Sequence, residues 1–131
     1  MKKVVIWVGI IVAMFGGLIW FNQSNKNDAA PSTTFAAVTQ DVKNGAKLYD
    51  VRTADEYKAG HFAGASNWSL QDMQAGKLPD VAKDSKIYVY CHSGNRSGQA
   101  TTILKNAGYT NVSDLHGLPN VEAIGGTLLT E

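Results

Sequence analysis

Cysteine is almost absent from the sequence: Cys91 is the only one among 131 residues, so no disulfide can form within the chain. One cysteine and three scattered histidines lack the ligand spacing of a metal site. We therefore expect neither a metal nor an organic cofactor. A second cysteine that could resolve an oxidised Cys91 is also lacking, which disfavours a thiol redox protein.

A surplus of charge of either sign is lacking too. The formal net charge is +1, and the charged residues, 18% of the chain, mix both signs without a basic stripe or an acidic tail. Nucleic acid is therefore not an expected partner. What remains is the composition of one small globular domain, which we place at residues 35–131. A unit of that size buries roughly two-thirds of its unfolded surface and needs no disulfides.

Residues 4–21 form the one long run without a charged or strongly polar side chain. As an α-helix this run would be roughly 27 Å long, close to the hydrocarbon thickness of a bilayer. Trp7 and Trp20 lie near its two ends, where aromatic rings favour the membrane interface. Lys2 and Lys3 precede the run, which predicts a cytoplasmic start. We therefore expect residues 1–21 to be a transmembrane signal anchor that leaves the domain extracytoplasmic.

Cleavage of a signal peptide is the alternative, and it would leave a secreted or periplasmic domain. A cleavable signal has a shorter apolar region followed by a small-x-small site. Here the run is long, and Pro31 directly follows the candidate site at Ala29 and Ala30, which favours an uncleaved anchor. Residues 22–34 are polar and small, and we interpret them as a flexible linker.

Helical and strand periodicities alternate after the linker, and Thr53 and Glu56 form the pattern of a capping box. Helices are predicted at residues 36–43, 54–60, 70–74 and 97–107, and strands at 47–51, 65–68, 86–90 and 112–115. The tail, residues 119–131, has no clear pattern. Such alternation predicts an α/β fold with a mainly parallel sheet covered by helices on both faces. The reactive crevice of such a sheet lies beyond the carboxyl ends of its strands.

Cys91 directly follows the clearest predicted strand and precedes a predicted helix. The positive end of the helix dipole, the amides of a turn containing Gly94, and the guanidinium of Arg96 would all favour a thiolate there. A thiolate is the nucleophilic form of cysteine. We therefore predict Cys91 as a catalytic nucleophile; an inert buried thiol is the less favoured interpretation.

Residues 91–97 (CHSGNRS), residues 108–112 (GYTNV) and residues 50–67 (DVRTADEYKAGHFAGASN) together resemble the signatures of the rhodanese family. The resemblance implies a fold with about five strands in a mainly parallel sheet. It also implies a sulfurtransferase: Cys91 takes a sulfane sulfur from a small donor such as thiosulfate, and passes it as a persulfide to a thiol or cyanide acceptor. The loop that would wrap the sulfur and bind the donor consists of His92, Ser93, Gly94, Asn95, Arg96 and Ser97.

Phosphatases of similar architecture have an arginine six residues after the cysteine, whereas Arg96 is five residues after Cys91. The shorter loop suits one sulfur atom better than a phosphoryl group, which favours sulfur transfer. The sequence also departs from the family: His116 stands where a glycine is common, and no tryptophan follows the last predicted strand. We interpret His116 as a surface substitution and His61 as a structural histidine.

The remaining polar residues have more than one interpretation. Asp50 and Arg52 are predicted to support the site as an ion pair rather than to react. Glu56 is predicted to start a helix and to pair with an arginine. His92 either tunes the charge of its neighbour Cys91 or points away from it. An alternative function for the whole chain is a non-enzymatic sulfur-carrier or partner-binding module at the membrane.

Overall fold

The computed structural model of the chain describes residues 33–130. The expected membrane anchor and nearly all of the expected linker lie outside these residues. Among the helices of residues 33–130, none has both the length and the apolar character needed to cross a membrane.

Five helices and six strands make up the described part of the chain. The helices are α1 (Phe35–Lys43), α2 (Ala54–Ala59), α3 (Leu70–Gln74), α4 (Asn95–Asn106) and α5 (Leu118–Ala123). The strands are β1 (Lys47–Asp50), β2 (His61–Phe62), β3 (Ala65–Asn67), β4 (Ile87–Tyr90), β5 (Val112–Asp114) and β6 (Leu128–Leu129).

The central sheet has four parallel strands in the order β3-β1-β4-β5. Strand β4 is buried at all four positions because it lies inside the sheet with side chains packed on both of its faces. Ile87 and Val89 point into a core with Leu104 of α4, whereas Tyr88 and Tyr90 point into a second core on the other face. The predicted α/β fold with a mainly parallel sheet is confirmed.

The expectation of about five strands in the sheet is wrong, because the sheet has four. The two further strands, β2 and β6, form a separate antiparallel pair. The backbone N–H of Phe62 in β2 donates to the Tyr90 hydroxyl at 3.2 Å, so β2 contacts β4 through a side chain. Strand β6 and all but the first residue of helix α5 lie in the tail, where the sequence showed no pattern.

The capping box of Thr53 and Glu56 is confirmed at the start of α2. Helix α4, however, begins at Asn95, two residues before the predicted start at Ser97. Asn95 and Arg96 are polar and therefore lie outside the apolar periodicity that located the helix. Gly94 adopts a left-handed conformation, with φ of +101°, and so turns the chain directly from the loop into α4.

Candidate active site at the end of strand β4

Cys91 lies directly after β4, at the carboxyl end of the central sheet, and its side chain is completely buried. Its backbone N–H donates to the carbonyl of His116 at 2.9 Å. Parallel strands bring the chain to this edge, and the turn at Gly94 then directs the first turn of α4 towards the sulfur. The predicted nucleophile therefore lies at the carboxyl edge of the sheet, as expected.

A backbone amide and a hydroxyl lie within hydrogen-bond distance of the sulfur atom. The backbone N–H of Gly94 donates to Cys91 Sγ at 2.9 Å, and the Ser97 hydroxyl lies 3.5 Å from the same atom. Burial acts to raise the pKa of the Cys91 thiol, but hydrogen bonds from the Ser97 hydroxyl and from the amides of Ser97, Gly94 and Ser93 outweigh it. The pKa of Cys91 therefore lies below its usual value, so the thiolate forms more readily here than on a free cysteine.

The segment after β5 supports the loop from outside. Leu118 N–H donates to the His92 carbonyl at 3.0 Å, and Ser93 pairs with Gly117 in an isolated bridge. A Cβ at Gly117 would lie only 2.6 Å from the His92 carbonyl oxygen, so this close approach requires glycine. Sequence reasoning missed this support; its one signal was the glycine at position 117.

Arg96 binds Glu56 rather than the sulfur. Its two guanidinium nitrogens donate to the two carboxylate oxygens at 2.7 and 2.9 Å. Hydrogen bonding from Arg96 is the largest of the effects that lower the pKa of Glu56 to about 2, and the same contact raises the pKa of Arg96. The predicted pairing of Glu56 with an arginine is confirmed, and the pair joins the start of α4 to α2.

Asp50 and Arg52 form a second ion pair, with side chains only 0% and 5% exposed. Arg52 Nη2 lies 2.6 Å from both Asp50 Oδ2 and the Gly60 carbonyl oxygen. Asn67 donates to the backbone carbonyls of both residues, at 3.0 and 2.9 Å. These contacts confirm the interpretation of Asp50 and Arg52 as an ion pair, and they join the carboxyl end of β1 to Asn67 of β3 and to Gly60 at the end of α2.

A family model confirms what this arrangement indicates. The model of the rhodanese-like domain matches residues 34–117, which is more than half of the chain. The chain belongs to the rhodanese-like family.

Relatives named as sulfurtransferases are among the rhodanese-like proteins that the chain matches. Thiosulfate sulfurtransferase PspE of Escherichia coli is 39% identical over 75 residues, which cover 55% of this chain and 70% of that protein. Thiosulfate sulfurtransferase 16, chloroplastic, of Arabidopsis thaliana is 36% identical over 99 residues, covering 66% and 82%. A solved structure described as rhodanese with anions from E. coli is similar with a TM-score of 0.53 and 34% identity, covering 65% and 98%.

The histidines of this rhodanese-like domain lie around the site rather than in contact with the sulfur. His61 Nδ1 is 2.9 Å from the Tyr57 carbonyl oxygen, and the two rings stack at 3.9 Å, which confirms a structural role. His92 is exposed, so it extends towards solvent and away from the core that holds Cys91. His116 is exposed as well, in a left-handed conformation with φ of +68°, and it contributes its carbonyl to the site.

Proposed function

We propose that the chain is a sulfurtransferase that moves a sulfane sulfur through a persulfide on Cys91. The observation that carries this proposal is the contact of 2.9 Å between the Gly94 amide and the sulfur of the lone, buried Cys91. Donors that lower the pKa of a buried thiol serve a nucleophile. The sulfurtransferase names of two relatives support the same chemistry.

The proposed transfer has two displacements. With thiosulfate as donor, the Cys91 thiolate attacks the outer sulfur, the sulfur–sulfur bond of the donor breaks, and its electron pair leaves with sulfite. The product is a persulfide whose negative charge lies on the terminal sulfur, where the amides at the start of α4 stabilise it. A thiol or cyanide then attacks the terminal sulfur, and Cys91 leaves as the thiolate.

The contacts of Arg96 favour sulfur over phosphate as the transferred group. A phosphoryl group carries several charged oxygens, and its transfer is usually assisted by a cationic clamp. Arg96 has both of its terminal nitrogens bound to Glu56, at 2.7 and 2.9 Å. The loop therefore presents backbone amides to the ligand, which suits a single sulfur atom with one negative charge.

We further propose that residues 4–21 anchor the protein in the membrane with the domain on the extracytoplasmic side. The proposal rests on the length of the apolar run and on Lys2 and Lys3 before it. We expect the protein to remain with the membrane fraction after a high-salt wash, and added protease to digest the domain in spheroplasts. Recovery of a shortened chain in the soluble fraction would instead indicate signal cleavage.

Mass spectrometry of the intact chain tests the sulfur transfer. After incubation with thiosulfate, the wild-type protein should gain the mass of one sulfur atom, and added cyanide should remove it as thiocyanate. Cys91→Ser should gain nothing, and its transfer rate should fall by about a thousandfold or more. Tyr88→Phe, a change at the opposite end of the sheet, serves as the matched control. An unmodified wild-type protein, or an equal gain on Cys91→Ser, would reject the proposal.

A further inference from the structure

The Ser97 hydroxyl carries one proton and lies within reach of two carbonyl oxygens and of Cys91 Sγ, which donates to Ser97 Oγ while it is a thiol and can only accept once it is ionised. Ser97 is completely buried in the first turn of α4. Its Oγ lies 3.1 Å from the Gly94 carbonyl oxygen, 3.4 Å from the His116 carbonyl oxygen and 3.5 Å from Cys91 Sγ. A hydroxyl can rotate to suit its surroundings, so the strongest acceptor at any moment decides where the proton points.

Both carbonyl acceptors of Ser97 have fixed positions. The His116 carbonyl also accepts the Cys91 N–H at 2.9 Å, and the Gly94 carbonyl also accepts the Gly98 N–H of α4 at 3.1 Å. The hydroxyl therefore has a neutral partner available whether or not the sulfur is charged. No rearrangement of the backbone is needed when the proton changes partner.

We propose that Ser97 is a positioning residue whose hydroxyl follows the charge on Cys91: it donates to the thiolate of the free enzyme and returns to the Gly94 carbonyl when Cys91 carries sulfur. This inference rests on the proposed function. An anionic sulfur is a stronger acceptor than a carbonyl, because charge-assisted hydrogen bonds are stronger than neutral ones. In the persulfide, the negative charge lies on the terminal sulfur, and Sγ is neutral.

A difference between the two states of the enzyme follows. Ser97 stabilises the free thiolate more than it stabilises the persulfide, since it loses its charged acceptor when sulfur is loaded. The hydroxyl thereby keeps Cys91 ionised while limiting how tightly the transferred sulfur is retained. No covalent bond to Ser97 forms or breaks, and the hydroxyl keeps its proton throughout.

The test is the rate of alkylation by iodoacetamide as a function of pH, measured on the full-length chain. Ser97→Ala should raise the apparent pKa of Cys91 by about one unit. At alkaline pH its limiting alkylation rate should equal or exceed that of the wild type, because a more basic thiolate is intrinsically more nucleophilic. At that pH we also measure the equilibrium in which the Cys91 thiolate and thiosulfate form the persulfide and sulfite. Its equilibrium constant should rise by about tenfold in Ser97→Ala.

Two further variants distinguish the effect of the Ser97 hydroxyl from a general disturbance of α4. The Thr101 hydroxyl lies one turn further along α4 and donates to the Ser97 carbonyl at 2.8 Å. Thr101→Ala removes this hydroxyl and should leave the apparent pKa of Cys91 unchanged. Ser97→Thr retains a hydroxyl and should keep the apparent pKa close to that of the wild type, with circular dichroism as the check of folding.

Three results would overturn the proposal: no rise in the apparent pKa in Ser97→Ala, an equal rise in Thr101→Ala, or an equal rise in Ser97→Thr. Failure of the proposed function is a separate result. It would appear as a wild-type chain that gains no sulfur, whereas the alkylation profile needs no sulfur donor and reports on Ser97 alone.

Discussion

The two ends of the central sheet both carry polar side chains, but they use them differently. At the amino end, the Tyr88 hydroxyl donates to Asp41 at 2.5 Å and Lys86 donates to Ser113 at 2.7 Å. Burial, followed by the bond to Asp41, raises the pKa of Tyr88 to about 12. At the carboxyl end, the donors surround Cys91, and the pKa of its thiol is lowered. The amino end stabilises neutral or paired groups, whereas the carboxyl end lowers the pKa of a single thiol.

The comparison shows how the carboxyl end can lower the pKa of Cys91 without a cation in contact with the sulfur. Arg52 is bound to Asp50, and Arg96 is bound to Glu56, so both nearby guanidinium groups are already neutralised by carboxylates. Hydrogen bonds from the Ser97 hydroxyl and from backbone amides lower the pKa of Cys91, and the charge of Arg96 interacts with Cys91 without touching it. Amides hold a fixed orientation in the loop, whereas a free cation would also bind competing anions.

Breaking the buried ion pair should have the largest effect on stability. Arg52→Met would leave Asp50, which is completely buried, as an unpaired carboxylate, and we expect the free energy of unfolding to fall by about 3–5 kcal/mol. The double variant with Asp50→Asn should lose less, because no buried charge remains. Urea unfolding followed by circular dichroism measures both. An equal loss in the single and double variants would show that the ion pair does not determine the cost.

Breaking the more exposed ion pair, between Arg96 and Glu56, should have a smaller effect on stability, and this effect should depend on pH. The pKa of Glu56 is about 2 in the folded protein against 4.5 for a free glutamate side chain, so its stabilisation is present above pH 4.5 and lost as the pH falls towards 2. Glu56→Gln should cost about 1 kcal/mol at pH 7, because solvent reaches about a third of each partner. Its stability should approach that of the wild type near pH 2.

Asp55→Asn is the matched control for Glu56→Gln, since Asp55 is exposed in the same turn of α2. We expect it to change stability by a few tenths of a kcal/mol. A loss in Glu56→Gln that stays constant between pH 7 and pH 2 would contradict the role of the Arg96 pair.

The smallest effect on sulfur transfer is expected at the amino end of the sheet. Tyr88→Phe removes one hydrogen bond to Asp41 and should lower the free energy of unfolding by about 1 kcal/mol, as measured by urea unfolding. The rate of sulfur transfer should not change, because the hydroxyl bonds only Asp41, at the edge opposite the sulfur. A slower transfer in this variant would show that the two ends are coupled, and the comparison between them would fail.

Local sequence features predicted much of the site. The buried strand before Cys91, the capping box at Thr53 and the helix after the loop all follow from short-range patterns, and the structure confirms them. The start of α4 was misplaced because a helix can begin with polar residues wherever a glycine such as Gly94 turns the chain. The number of strands in the sheet was wrong because β2 and β6 pair with each other, across 66 residues of chain, and not with the parallel strands.

The sequence by itself determined that a lone cysteine follows a buried strand and precedes a helix, since both depend on neighbours along the chain. Only the tertiary structure decided which groups complete the site. The His116 carbonyl that holds Cys91 comes from beyond β5, and the Glu56 carboxylate that binds Arg96 comes from 40 residues earlier. Such pairs have no local signature, because the parallel sheet brings distant segments together at one edge.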